Sequence, residues 1–173
     1  KGRGHARGFC TCIDVGVCTC GDGEVCSQGS TRCRRYSSVR VRDSDGGVDE
    51  GDVFIFNDPY DGGTHLSDFR LVKPIFRNGE IFCYLASVGH WHDVGGNVPG
   101  NYNPQATESF QEGMLIPPVK LFEAGVLKSD IVAILSANSR LPNSLYGDMN
   151  AQINALDLGH QRLADLLDEY GEP

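Results

Sequence analysis

Residues Phe69 to Val88 read FRLVKPIFRNGEIFCYLASV. Two apolar, β-prone runs, Phe69 to Phe76 and Ile81 to Val88, flank Arg77-Asn78-Gly79-Glu80. Asn-Gly is the favoured centre of a type I′ turn, because both residues tolerate positive φ, so the spacing predicts a β-hairpin. Pro74 cannot donate to a ladder, which puts its strand at an edge or beside a bulge. If the second strand runs on past Val88, alternation sends His90 and His92 to one face and Trp91 to the other.

Upstream, Val53-Phe54-Ile55-Phe56 is a continuous apolar run bounded by Gly51-Asp52 and Asn57-Asp58-Pro59. It suits a short strand buried on both faces, ended by the proline. The loop Tyr60 to Thr64 contains Gly62-Gly63, which lets the backbone approach an ion or ligand without a Cβ in the way. Downstream, Asn101 to Val119 shows little periodicity and reads as irregular or short-stranded. Ser129-Asp130 is an N-cap signal for a helix to about Arg140, and Pro142-Asn143-Ser144 resets the chain. Met149, Ile153, Leu156, Leu163, Leu167 and Tyr170 then fall at helical spacing until Gly171. They predict an amphipathic helix of about five to seven turns, with Pro142 to Tyr170 mostly one helix. The fold class is therefore α+β, a β-hairpin-rich central segment followed by C-terminal helices.

With 173 residues, 40% of them hydrophobic, the chain is long enough for one domain with a core and too short for two substantial ones. A net charge of −8 argues against nucleic acid as the main partner. No apolar run approaches the about 18 residues of a membrane span, and no secretory stretch opens the sequence, so a cytoplasmic protein without membrane contact is expected.

Residues 1–48 differ in kind, being rich in Gly, Cys and Arg without apolar periodicity. Up to Arg42 there are eight Lys/Arg against three Asp/Glu, and the balance reverses after Asp43. Three readings compete for this leader. Cys10, Cys12, Cys18, Cys20, Cys26 and Cys33 suggest zinc, but they lack paired Cys-x-x-Cys spacing. Arg32, Arg34, Arg35 and Arg40 suggest a nucleic-acid arm, but only Tyr36 accompanies them. The third reading is a disordered leader, divergent or frame-shifted, with the domain proper spanning 49–173.

The candidate chemistry lies in two clusters, His65 with Asp68, and His90 with His92 and Asp93. An antiparallel hairpin brings His65, Asp68 and His90 towards one point across its ladder. Two imidazoles and a carboxylate hold a divalent metal while leaving coordination positions open, as a catalytic site requires. The competing reading is a set of polar turn residues around glycine-rich loops. His92 is a further ligand, an outer support or a polar strand-end residue. Asp58 and Asp93 are the candidate catalytic carboxylates, and Asn57, Gly62 and Gly63 the candidate substrate contacts, although Asn-Asp-Pro is also an ordinary turn. His160 reads as solvated and Cys83 as a core residue. No Gly-rich phosphate loop with a following Lys-Ser/Thr is present, so no nucleotide site is expected in this chain.

Several of these motifs, in this order, resemble the hydantoinase B and 5-oxoprolinase family: Asn57-Asp58-Pro59-Tyr60, Gly62-Gly63-Thr64-His65 with Asp68, Gly89-His90 with Asp93-Val94-Gly95-Gly96, Glu112-Gly113, and Ile116-Pro117-Pro118-Val119-Lys120. The resemblance runs from about Asp52 to Gly171. Before it, Asp22-Gly23 and Gln28-Gly29 only faintly match the family's hairpin, and the His-containing stretch that should follow is missing. The resemblance implies an N-terminal fragment of a longer B-type subunit. Such a subunit works with an A-type partner that binds ATP, in a hetero-oligomer that opens hydantoin, 5-oxoproline or lactam rings. It also implies that His65, Asp68 and His90 match the metal ligands of the carboxylase branch, with manganese or zinc as the metal. The alternatives are a subunit of an ATP-dependent ketone carboxylase and a truncated, non-catalytic binding module.

Overall fold

Asn78 and Gly79 take φ values of 55° and 82°, and Arg77 pairs with Glu80 across them, the two-residue turn expected from the sequence. A computed structural model gives the structure, which describes residues 11–13, 17–19, 47–60 and 63–171. Its strands are β1 (Thr11–Ile13), β2 (Val17–Thr19), β3 (Val53–Phe56), β4 (Asp68–Arg77), β5 (Glu80–His90), β6 (Val119–Glu123) and β7 (Val126–Leu127). A 3-10 turn at Ser109–Gln111 and helices α1 (Ser129–Ala137) and α2 (Pro142–Tyr170) complete the described elements. The strands form one antiparallel sheet in the order β1-β2-β5-β4-β3-β6-β7, and the α+β class follows.

All four residues of β3 are buried, as a continuous apolar run between two neighbouring strands requires. Pro74 lies in an interior strand, yet β3 reaches along β4 only as far as Val72, so the missing N–H removes no rung there. The ladder shifts between Ile75 and Phe76, leaving Phe82 as the extra residue on β5.

Alternation divides the sheet. Phe69, Leu71, Ile75, Cys83 and Leu85 face α2 and join Leu145, Met149 and Leu156 in one core. Burial pushes the Cys83 thiol up to about 11, as suits a small core residue. Lys73, on the same face, reaches past the apolar layer to Asp157 of α2 at 2.7 Å.

The helices differ from expectation in the cap of α1 and in the number of turns of α2. Ser129 does not cap α1; Lys128 occupies that position and no side chain caps it. Helix α2 runs from Pro142 to Tyr170, the span expected for it, although its 29 residues make about eight turns rather than five to seven. Its stripe is buried only at the N-terminal end, and Tyr170 is exposed. Strands β1 and β2 come from the leader and attach through Val17↔Leu85 and Cys18↔Tyr84. Of its candidate zinc cysteines, Cys12 and Cys18 fall in these strands, and the leader's other expected features lie outside the described residues.

Candidate metal centre

The open end of the β4–β5 hairpin sets Asp68 directly opposite His90. Phe69 and Gly89, one step further in, face α2, so Asp68 and His90 project from the other face of the sheet. His65 joins them through a tight turn: Asp68 N–H donates to the His65 carbonyl at 3.1 Å, and His65 N–H donates back to Asp68 Oδ2 at 2.9 Å.

The side chains converge accordingly. His90 Nδ1 lies 2.7 Å from Asp68 Oδ1, and His65 Nδ1 lies 3.3 Å from Asp68 Oδ2. The two imidazoles meet edge to face with centroids 5.5 Å apart. One donor atom from each of the three residues lies within 4.8 Å of the others. Two imidazole nitrogens and a carboxylate oxygen that close fit a borderline divalent metal. Both imidazoles are mostly solvent-exposed, whereas Asp68 is only 16% exposed. Partial burial acts to raise the Asp68 carboxyl. The hydrogen bond from His90, the one from the His65 backbone and the charges of both imidazoles outweigh it and hold the group below its ordinary value.

Behind this centre a layer of fixed groups holds the strand ends. Trp91, fully buried, stacks on Phe69 with centroids 4.0 Å apart and planes 2° from parallel. Its Nε1–H donates to Gln152 Oε1 at 2.8 Å, while Gln152 Nε2 donates to the carbonyls of Phe69 and Ser87. Gln152 thus ties α2 to β4 at Phe69, next to Asp68, to β5 at Ser87, and to Trp91, next to His90. A Cβ on Gly89 would lie 2.7 Å from that carboxamide, so the strand needs glycine there. Sequence reading missed Gln152 because it sits inside an apolar helical stripe.

In front of the centre lies a cavity of about 800 Å³. His65, Ser67 and His90 form part of its wall, with Tyr60, Tyr102, Glu108 and Glu112 among the others. Asp68, Asn57, Asp58, Gly63, His92 and Asp93 are not in that wall. The Asn57 carboxamide is fully engaged with backbone, donating to Leu66 and Met114 and accepting from Ile116. Asp58 accepts from Tyr60 N–H through its side chain and from Arg70 through its carbonyl. His92 falls past the end of β5, so the alternation expected to align it with His90 stops first. Asp93 is buried, and its carboxylate accepts from the N–H groups of Gly95, Gly100 and Arg140 and from the Arg140 guanidinium. Gly63 packs tightly, since a Cβ there would lie 2.8 Å from the Arg70 guanidinium. Gly62 lies outside the described residues.

The ordered strand, hairpin and histidine motifs belong to a recognisable class of subunit. The family described as Hydantoinase B/oxoprolinase matches residues 31–173, and the chain belongs to that family. The match begins inside the leader, upstream of where the motif resemblance starts. The chain is 43% identical over 124 residues to the caprolactamase subunit beta of Pseudomonas jessenii, covering 72% of this chain and 21% of that protein. It is 34% identical over 122 residues to a 5-oxoprolinase of Dictyostelium discoideum, covering 70% of this chain and 10% of that one. Among solved structures, the ATP-dependent caprolactamase of Pseudomonas jessenii superposes with a TM-score of 0.68 at 43% identity, over 72% of this chain and 21% of that chain. An acetone carboxylase in its nucleotide-free state superposes with a TM-score of 0.69 at 25% identity, over 72% and 16%. The chain therefore spans about a fifth or less of these relatives. Among the described residues, no helix is long and apolar enough to cross a membrane.

Proposed function

We propose that this chain is part of the B-type subunit of an ATP-dependent cyclic-amide hydrolase, and that His65, Asp68 and His90 hold its metal. The observation that carries this reading is the meeting of the three donors, two of which, His65 and His90, line a cavity large enough for a small ring. Caprolactamase and 5-oxoprolinase among the relatives support cyclic amides as the substrate class. The mixed nitrogen and oxygen donors, without thiolate, favour manganese, iron or zinc over calcium or magnesium, and the family resemblance narrows the choice to manganese or zinc.

In this reading an A-type partner in the same cytoplasmic hetero-oligomer binds ATP and activates the ring by phosphorylation. A bound divalent metal would supply Lewis acidity at the intermediate's oxygen or a hydroxide at neutral pH. The chain's own part is positional. Asp68 and the two histidines present their lone pairs to one point, Gln152 and Trp91 keep the strand ends from moving, and the Asp93–Arg140 cluster shapes the loop leading to Tyr102. Asp58, Asn57 and Gly63 enter through the loop before His65, which they shape.

The acetone carboxylase likeness keeps a second reading, an ATP-dependent ketone carboxylase subunit with the same three ligands. Ring opening of a stable amide needs activation that this chain has no phosphate loop to provide. The isolated chain, loaded with manganese or zinc, is therefore expected to show no turnover of hydantoin, 5-oxoproline or caprolactam. ATP-independent turnover by the pure chain would overturn the assignment of activation to a partner.

A further inference from the structure

His90 is gripped at both ring nitrogens. Nδ1 lies 2.7 Å from Asp68 Oδ1, and Nε2 lies 3.2 Å from the hydroxyl of Ser67. Ser67 is 5% exposed, and its carbonyl accepts from the N–H groups of Phe69 and Trp91 at 3.0 and 2.9 Å. One buried residue therefore holds the start of β4 and the end of β5 through its backbone, and the His90 ring through its side chain.

The hydroxyl suits this place for a reason tied to the imidazole. A carboxylate only accepts, so beside Asp68 the neutral ring carries its proton on Nδ1 and Nε2 takes the Ser67 hydroxyl proton. If Nδ1 is instead to offer its lone pair to a cation, the ring's single proton sits on Nε2, and Ser67 must accept. A hydroxyl both donates and accepts, so it satisfies either tautomer by rotating. Alanine satisfies neither.

We infer that Ser67 is a positioning residue for the metal centre, holding the His90 ring so that Nδ1, not Nε2, is the nitrogen presented beside Asp68. This rests on the metal reading proposed above, but the grip on the ring exists without a metal. Outer hydrogen-bond partners of this kind fix ring orientation, and their loss typically lowers affinity about ten- to a hundredfold.

The test uses the full 173-residue chain with ¹⁵N,¹³C-labelled histidine, as wild type, Ser67→Ala and Ser67→Thr. Zinc titration should show affinity reduced about tenfold or more in Ser67→Ala and largely restored in Ser67→Thr. In the zinc-loaded wild type the His90 ring resonances should report Nδ1 coordination with the proton on Nε2. Zinc on Nε2 would overturn the inference whether or not the alanine variant folds, as would unchanged affinity in Ser67→Ala. If the wild type binds no metal, the metal reading fails, and the metal-free spectra decide on Ser67. His90 Nε2 resonances that shift on Ser67→Ala and return with Ser67→Thr support the grip; identical resonances in all three chains refute it.

Discussion

Asp68 and Asp93 are two aspartates beside histidine-bearing segments, and the structure uses them in opposite ways. Asp68 is met by two imidazoles, groups that keep a lone pair and can turn it to a cation. Asp93 is met by three backbone N–H groups and a guanidinium, which only donate. Both carboxyls are held below their ordinary value. For Asp93 burial again opposes the shift and is outweighed by the N–H groups of Gly100, Gly95 and Arg140 and by the Arg140 side chain. A lowered carboxyl alone therefore does not mark a ligand. What distinguishes the two is whether the partners can exchange a hydrogen bond for a metal bond.

The largest effect should come from removing the closed cluster. Asp93→Ala strands three backbone donors and Arg140, and a loss of about 3 kcal/mol is expected from groups of this kind, discounted because the guanidinium is half-exposed. Urea unfolding measures it; a loss below about 1 kcal/mol would mean that water replaces those bonds freely. Next comes the support behind the open centre. Gly89→Ala drives a Cβ into the Gln152 carboxamide, and about 2 kcal/mol is expected with a changed Trp91 fluorescence. An unshifted emission would show that Gln152 does not hold Trp91.

The acid response separates the two sites without large substitutions. Each carboxyl titrates lower when folded than its ordinary 3.8. Each therefore contributes stability that is fully present above that value and is lost as pH falls through the folded one. Asp93→Asn should flatten the pH dependence of stability between about pH 5 and 2 more than Asp68→Asn does; the reverse order would undo the comparison. The smallest effect on stability belongs to Asp68→Ala, below about 1 kcal/mol, because its imidazole partners are mostly exposed.

The same contrast shows how far sequence reading reaches. The Asn78-Gly79 turn, the buried run Val53–Phe56 and the long final helix follow from local chemistry and are legible one residue type at a time. The pairing at the centre is not. Counting back from Arg77↔Glu80 along an unbroken ladder sets Asp68 opposite Gly89 and turns His90 away from its partner. The extra residue Phe82 shifts the register by one and restores Asp68↔His90. Pro74 announced a bulge or an edge, without saying which strand would carry it. The partners of Asp93 come from Gly95, Gly100 and Arg140, and the last of these is 47 positions away, so nothing local distinguished Asp93 from Asp68. Gln152 reaches Phe69 across 83 positions and was hidden for the same reason.

In the proposed reading the hairpin's open end binds a metal and the Asp93 cluster does not. Metal content of the purified chain after equilibration with manganese or zinc tests it most directly, comparing wild type with His65→Ala, Asp68→Ala, His90→Ala and Asp93→Asn at a temperature where all five are folded. Stoichiometric metal is expected in the wild type and Asp93→Asn, with affinity reduced about a hundredfold or more in each of the other three. Equal metal in all five, or loss only in Asp93→Asn, would contradict it.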